Sequence, residues 1–164
     1  MKNQSVDKII STLALHWVPS VKDSISELKR VLKTDGSIDI MLTEKDDGDS
    51  FKKPIIRAMQ KYLNFKQIMN AATLSQRLSV NHMKKHLTDF FSEKDYEINV
   101  KNVKKKIHGS FDEHMKWWKS RSEQIISEIK EKDKFMIDLK EELEKINTDK
   151  GIPFDLCLLN VSLK

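Results

Sequence analysis

Apolar positions change their period several times along this chain, and each change marks a candidate element. From Asp7 to Trp17 (DKIISTLALHW), Ile9, Ile10, Leu13, Ala14 and Leu15 form a nearly continuous apolar run, and Pro19 ends it. Such a run predicts a strand buried on both faces, as in a parallel sheet with helices on each side. Val21, Ile25, Leu28 and Leu32 then recur at helical spacing, so residues 20–33 predict an amphipathic helix. Ser20 and Asp23 have the spacing of a capping box, with Asp in place of Glu. Lys29, Arg30 and Lys33 crowd the last turn, where cations complement the negative helix end. Gly36 predicts the turn out of the helix. Ile38, Ile40 and Leu42 alternate as a second strand, which completes a βαβ unit.

Residues 43–50 (TEKDDGDS) read as a loop at the carboxyl end of that second strand. From Phe51 to Phe91 the pattern is helical and broken into pieces. Pro54 suits the first turn of a helix carrying Ile55, Ile56, Met59 and Leu63. A second piece carries Ile68, Met69, Leu74 and Leu78, and a third, near residues 81–91, carries Met83, Leu87, Phe90 and Phe91. Tyr96, Ile98 and Val100 return to a two-residue period, and the phase slips by one at Val103 and Ile107, which predicts a bulge or bend. Ser110 and Glu113 form another capping box, followed by one apolar helical face of Phe111, Met115, Trp118, Ile125 and Ile129. Met136, Leu139, Leu143 and Ile146 make a further face. Gly151 and Pro153 punctuate before a final strand over residues 154–163.

Composition narrows the class without changing the picture. With 164 residues, 38% apolar and 34% charged, the chain is long enough for one packed domain and too apolar for disorder. The net charge of +5 comes from 30 basic and 25 acidic residues with interleaved signs, which fits a solvated surface better than a nucleic-acid footprint. Lys104, Lys105 and Lys106 read as guards of an edge strand rather than an RNA platform. Cys157, the single cysteine, lies in an apolar run as a buried thiol. No apolar stretch is long enough to span a membrane, and Met1 to Asp7 lacks the apolar core of a signal peptide, so a cytoplasmic protein is expected.

Candidate chemistry is sparse. His82 and His86 are one helical turn apart but lack the neighbouring Glu and third ligand of a zinc site, so no metal is expected and both are expected at the surface; His108 and His114 are scattered singles. Glu44, Lys45, Asp46 and Asp47 follow the second strand at the edge where open α/β sheets bind ligands. Glu44 is a candidate substrate contact, against the plainer reading of a solvated turn. Trp117 projects from the flank of its helix, with Arg121 one turn on, and reads as packing or as a substrate contact.

The run D-K-I-I-S-T-L-A-L-H-W-V (Asp7–Val18) resembles the fourth strand and following turn of class I S-adenosylmethionine-dependent methyltransferases, in the subgroup of the malonyl-carrier-protein and trans-aconitate methyltransferases. S-E-L-K-R-V-L-K-T-D-G-S (Ser26–Ser37) is similar to the family's helix ending in L-K-P-G-G, with Thr34 and Asp35 in place of Pro and Gly. G-S-F-D-E-H-M-K-W-W (Gly109–Trp118) and the closing I-P-F-D-L-C-L-L-N-V-S-L-K resemble later parts of the fold. The family's cofactor loop, E-x-G-x-G-x-G, has no counterpart among Gly36, Gly48, Gly109 and Gly151.

The resemblance implies an α/β fold: a partial Rossmann-like sheet, strands four to seven, with an antiparallel last strand. It implies one truncated domain over 1–164, divided as a βαβ unit over 1–50, a helical lid over 51–91, and terminal strands with inserted helices over 92–164. It implies methyl transfer from S-adenosyl-L-methionine to a small acceptor, with a carboxylate as the first expectation. Thr12, Leu13, His16 and Trp17 would line the pocket beside the methionine part of the cofactor; the alternative is Trp17 in the core and His16 as a polar cap. Expected partners are the acceptor and a missing amino-terminal half or a second copy, with neither nucleic acid nor membrane. The competing function is a non-catalytic fragment that acts by pairing with another chain.

Overall fold

The structure, a computed structural model, describes residues 1–72 and 75–164. Leu74, expected on a helical face, lies outside the described residues. The order of elements is β1 (Val6–Thr12), α1 (Val21–Val31), β2 (Leu32–Thr43), α2 (Asp49–Met59), α3 (Phe65–Ala72), α4 (Val80–Thr88), β3 (Ile98–Gly109), α5 (Phe111–Ser127), α6 (Lys132–Glu144) and β4 (Ile152–Leu163). The strands form one mixed sheet in the order β1-β2-β4-β3. β1 pairs with β2 in parallel, and β4 pairs with β2 antiparallel, as expected for the last strand.

Contacts divide the chain into two compact units. The first holds Met1–Asp47, Ser75–Lys104 and Cys157–Lys164; the second holds Gly48–Leu74 and Lys105–Leu156. The segment 51–91, expected as one lid, is shared between them: α2 and α3 belong to the second unit and α4 to the first.

In the first unit the βαβ expectation holds in outline. Ser20 caps α1 by accepting the Asp23 amide, and α1 buries Val21 and Ile25. On the sheet, Ile38, Ile40 and Leu42 of β2 face the same way as Leu163, Val161 and Leu159 of β4, because directly paired residues share a face. These six join Val21, Ile25, Met83, Leu87, Phe91 and Tyr96 in one core. Lys29 lies over the Tyr96 ring, 4.4 Å from its centroid, and donates to the Tyr96 hydroxyl at 2.9 Å.

The opposite face corrects the expectation of a strand buried on both sides. Lys8, Ile10 and Thr12 of β1 pair with Ser37, Asp39 and Met41 of β2, and Asn160 and Ser162 of β4 continue the row; none of the eight is buried. Ile10 is 69% exposed. Only one side of β1 meets the core, through Ile9, while Lys8, Ile10 and Thr12 are exposed, so its apolar run does not report two covered faces.

Gly36 is not a turn. The chain passes from α1 into β2 without a loop, and Gly36 lies within β2. A Cβ there would come within 2.7 Å of the Leu32 Cδ1 and 3.0 Å of the Asp7 carbonyl oxygen, so glycine permits the close approach of β1.

In the second unit, Phe51, Ile55, Met59, Met115, Trp118, Ile125, Phe135, Leu139, Leu143 and Phe154 share a core. The Ser110–Glu113 capping box forms with both hydrogen bonds present. Pro54 sits inside α2, beyond its first turn, because Gly48 starts the helix early from a left-handed conformation at φ +69°. Phe135, absent from the expected face, is buried in the core from α6, and Met136 packs against it half-buried. Ile56 and Met69, expected on packed faces, are exposed. In the first unit, Leu78 leaves the helical pattern and bridges Glu44 in parallel, and Val103 is exposed.

Candidate functional site

The carboxyl ends of the two parallel strands bring the first-unit candidates together. β1 stops at Thr12 because Leu13 turns into the left-handed region, φ +53°, while its amide still donates to the Met41 carbonyl at 2.7 Å. Few non-glycine residues adopt that conformation, so the surrounding contacts hold Leu13 there. The next turn, Leu15–Trp17, is a single 3-10 turn. It buries His16 at 1% exposure and leaves the Trp17 indole 48% exposed, with the two rings 5.1 Å apart at 43°. Trp17 is therefore not a core residue. The His16 carbonyl accepts the Gln76 amide at 2.6 Å, so the segment before α4 closes over this turn.

At the end of β2, the Glu44–Asp47 loop is not the solvated turn that its composition predicts: Glu44 and Asp47 are both buried. The Glu44 amide donates to the Cys157 carbonyl at 2.9 Å, and its carboxylate accepts the Asp46 amide at 2.9 Å. The Asp47 carboxylate accepts the Cys157 amide at 2.9 Å. Arg77 donates to the Asp47 carbonyl at 3.0 Å and pairs with its carboxylate at 3.9 Å. Lys104 reaches Asp46 at 3.5 Å; burial works against its charge, but the Asp46 hydrogen bond and charge, together with Cys157 and Glu44, hold its ammonium above the ordinary lysine range. The buried Thr43 hydroxyl has no hydrogen-bond partner among the described residues. Both strand ends are thus braced by backbone hydrogen bonds, which suits a surface that must present side chains in fixed positions.

One of these contributors, Arg77, escapes a reading of the sequence: it lies thirty residues from Asp47 and shares no local pattern with it. The Asp-Gly step at 47–48 is a turn signal, yet burial of the carboxylate depends on β4 passing beside it.

Trp117 belongs to the second unit. Its ring lies 4.9 Å from Phe154, 5.9 Å from Phe51 and 6.0 Å from His114, with the Arg121 guanidinium 5.7 Å from its centroid. This is a packed aromatic cluster. His114 is not a scattered single: it is buried in the cluster, with Nε2 2.9 Å from the Ile152 carbonyl. His82 and His108 are exposed and His86 is half-buried, and no group of three metal-ligating side chains occurs among the described residues.

A nucleoside cofactor of this fold needs a glycine turn that the ligand can approach. Each glycine here closes instead on the chain's own atoms: Gly36 on Leu32, Gly48 on Phe154, Gly109 on Glu113 and His114, and Gly151 on Gly109. The residues present can form one wall of such a site, with Leu13 and Trp17 as apolar surface, but they do not make the cradle.

A family model described as a methyltransferase domain matches residues 1–40. Among solved structures, a protein described as a methyltransferase from Bacillus halodurans aligns with a TM-score of 0.55 and 16% identity, over 99% of this chain and 65% of its own. The YcgJ protein of Bacillus subtilis aligns with a TM-score of 0.53 and 17% identity, over 99% of this chain and 65% of its own. The chain therefore shares their fold and spans less than two thirds of their length. No curated protein matches it.

Proposed function

We propose that this chain is the carboxyl-terminal part of an S-adenosylmethionine-dependent methyltransferase acting on a small-molecule acceptor. One observation carries the reading. The stretch matched by the methyltransferase model ends in β2, and the parallel β1–β2 pair places a half-exposed indole and a strained leucine at the sheet edge where this architecture binds ligands. Thr12, Leu13, His16 and Trp17 form one wall of the cofactor site in this reading. The glycine cradle comes from an amino-terminal segment, a separate chain or a second copy. The cofactor supplies the electrophilic methyl group; the protein's share is to hold the acceptor in line with it and keep water out.

A carboxylate acceptor would itself be the nucleophile and would need only positioning. Glu44 and Asp47 are buried and Arg77 is already paired with Asp47, so none of these three would hold such an acceptor.

The test is a titration of isotope-labelled chain with S-adenosylhomocysteine, followed by amide and indole NMR signals. Weak, saturable shifts are expected at residues 12–17, including the Trp17 indole, and Trp17→Ala should remove them. Saturable shifts confined to other residues would sink the assignment of the wall. Binding by the chain alone with a Kd below about 1 µM would sink the reading that the site is incomplete.

A further inference from the structure

Residues 75–78, which lead into α4, are fastened to the ends of both parallel strands. The Gln76 amide donates to the His16 carbonyl at 2.6 Å, in the turn after β1. Two residues on, the Leu78 carbonyl accepts the Lys45 amide at 3.1 Å, and Leu78 bridges Glu44 just past β2. Leu78 packs against the first unit's core, while Gln76 and Arg77 are exposed. Arg77 ties this strap down. Its Nε donates to the Ser75 hydroxyl at 3.1 Å, within the strap, and its Nη1 donates to the Asp47 carbonyl at 3.0 Å and lies 3.9 Å from the Asp47 carboxylate.

The far end of that contact is firmly held. Asp47 is 2% exposed, and its carboxylate also accepts the Cys157 amide of β4 at 2.9 Å. A carboxylate removed from water needs donors in its place, and Arg77 and the Cys157 amide supply them. The near end has less to hold it. His16 and Trp17 sit on a single 3-10 turn whose first residue, Ala14, gives no side-chain cap. One such turn has little stability of its own, so its position depends on what grips it from outside. The Gln76–His16 hydrogen bond is such a grip, and the strap that supplies it is held in turn by Arg77.

We propose that Arg77 is a positioning residue for the cofactor wall: anchored on Asp47, it holds the 75–78 strap against the His16 carbonyl and so fixes the turn that sets Trp17 outward and His16 inward. Arg77 has this role only if residues 12–17 are that wall, as proposed above, and it needs no contact of its own with cofactor or acceptor.

The experiment is amide hydrogen exchange by NMR on the ligand-free full chain, followed by the S-adenosylhomocysteine titration, for the wild type, Arg77→Met and Arg77→Lys. Methionine keeps an apolar stem and removes the donors. It should speed exchange at the Gln76, Trp17 and Lys45 amides at least about tenfold, while Ile40 in the central strand β2 stays within about twofold. In the titration it should raise the Kd at least about fivefold. Arg77 meets Asp47 through one nitrogen, Nη1, so a lysine ammonium can take its place, and Arg77→Lys should give back most of the protection and affinity. Unchanged exchange at Gln76 and Trp17 in Arg77→Met overturns the proposal whatever the ligand does. So does an equal rise at Ile40, which marks a general loss of stability, and so does lysine performing no better than methionine. Faster exchange at Gln76 with unaltered affinity for S-adenosylhomocysteine overturns it as well. A wild type with no shifts at residues 12–17 sinks the wall itself, and with it the cofactor role of Arg77, while the exchange result still decides whether Arg77 holds the turn.

Discussion

At the scale of single residues, Leu13 is where backbone strain can be measured. Its φ of +53° costs an L-residue about 1 kcal/mol or more, and glycine adopts that conformation freely. Comparing Leu13→Gly with Leu13→Ala removes the side chain in both and leaves the backbone preference. Urea denaturation should show the glycine variant more stable than the alanine variant by about 1 kcal/mol, although glycine elsewhere is the weaker choice. The reverse order would mean that residue 13 leaves the left-handed region in solution. Nothing in the run LALHW announced this strain, because it arises where β1 is pinned to β2 by the Leu13–Met41 hydrogen bond. His16 and Trp17 could be placed near the edge from local pattern; which one is buried and which exposed required the turn's geometry.

At the scale of elements, α6 is fastened to α2 and the turn after it by polar contacts at partly buried positions. The Tyr62 hydroxyl donates to Asp138 at 2.5 Å, and burial, followed by that hydrogen bond, pushes its pKa up to about 12. A group with a raised folded-state value stabilises the fold fully below its ordinary value near 10 and loses that contribution as pH rises through about 12. Absorbance titration of the two tyrosines should show one phenol ionising near 12, and Tyr62→Phe should remove it. At the acid end, Glu142 accepts from Lys145 and from Arg57, and both contacts hold its carboxyl below the usual 4.5. Its contribution is therefore complete above about pH 4.5 and is lost as pH falls through the lowered value. Glu142→Gln should flatten the decline in stability on acidification, measured by urea midpoints at several pH values; an unchanged slope would remove Glu142 from that role.

Element boundaries were legible wherever a local cap or period decided them. Ser110–Glu113 fixed the start of α5, and Ile38, Ile40 and Leu42 fixed the inward face of β2. They were illegible where tertiary contact decided. Gly36 passes for a helix stop until Asp7 is seen beside it, and Leu78 passes for a helical position until it pairs with Glu44. Pro54 suggests the first turn of a helix, but α2 begins at Asp49 and Pro54 lies beyond its first turn.

At the scale of the molecule, the two sheet edges are unlike. β3 presents Lys101, Lys104, Lys105 and Lys106, all exposed; Lys104 pairs with Asp46 at 3.5 Å and Lys106 with Asp155 at 3.6 Å, which leaves Lys101 and Lys105 to guard that edge. β1 carries Asp7 and Lys8, and both charges are already paired, with Lys33 at 2.7 Å and Asp39 at 2.9 Å. Its free edge and Ile10 are therefore open to a neighbouring strand. Light scattering over a concentration series should show the apparent mass of the wild type rising, and Ile10→Lys should suppress the rise. A wild-type chain that stays monomeric throughout would mean that the edge is inert. The α/β class and the antiparallel last strand were readable from periodicity together with the family resemblance. The single uncovered sheet face was not, because an apolar run such as KIISTLAL reads the same whether its second side meets a helix or solvent.

The difference between the edges also sets how far self-association can run. Strand addition becomes a fibre when each added molecule offers a fresh receptive edge to the next. Here the far side of every copy ends in lysines that repel another strand, so joining at β1 consumes the receptive edge of both copies. If copies join at β1, addition through this sheet stops at a closed pair, because the exposed Lys101 and Lys105 keep the β3 edge unreceptive.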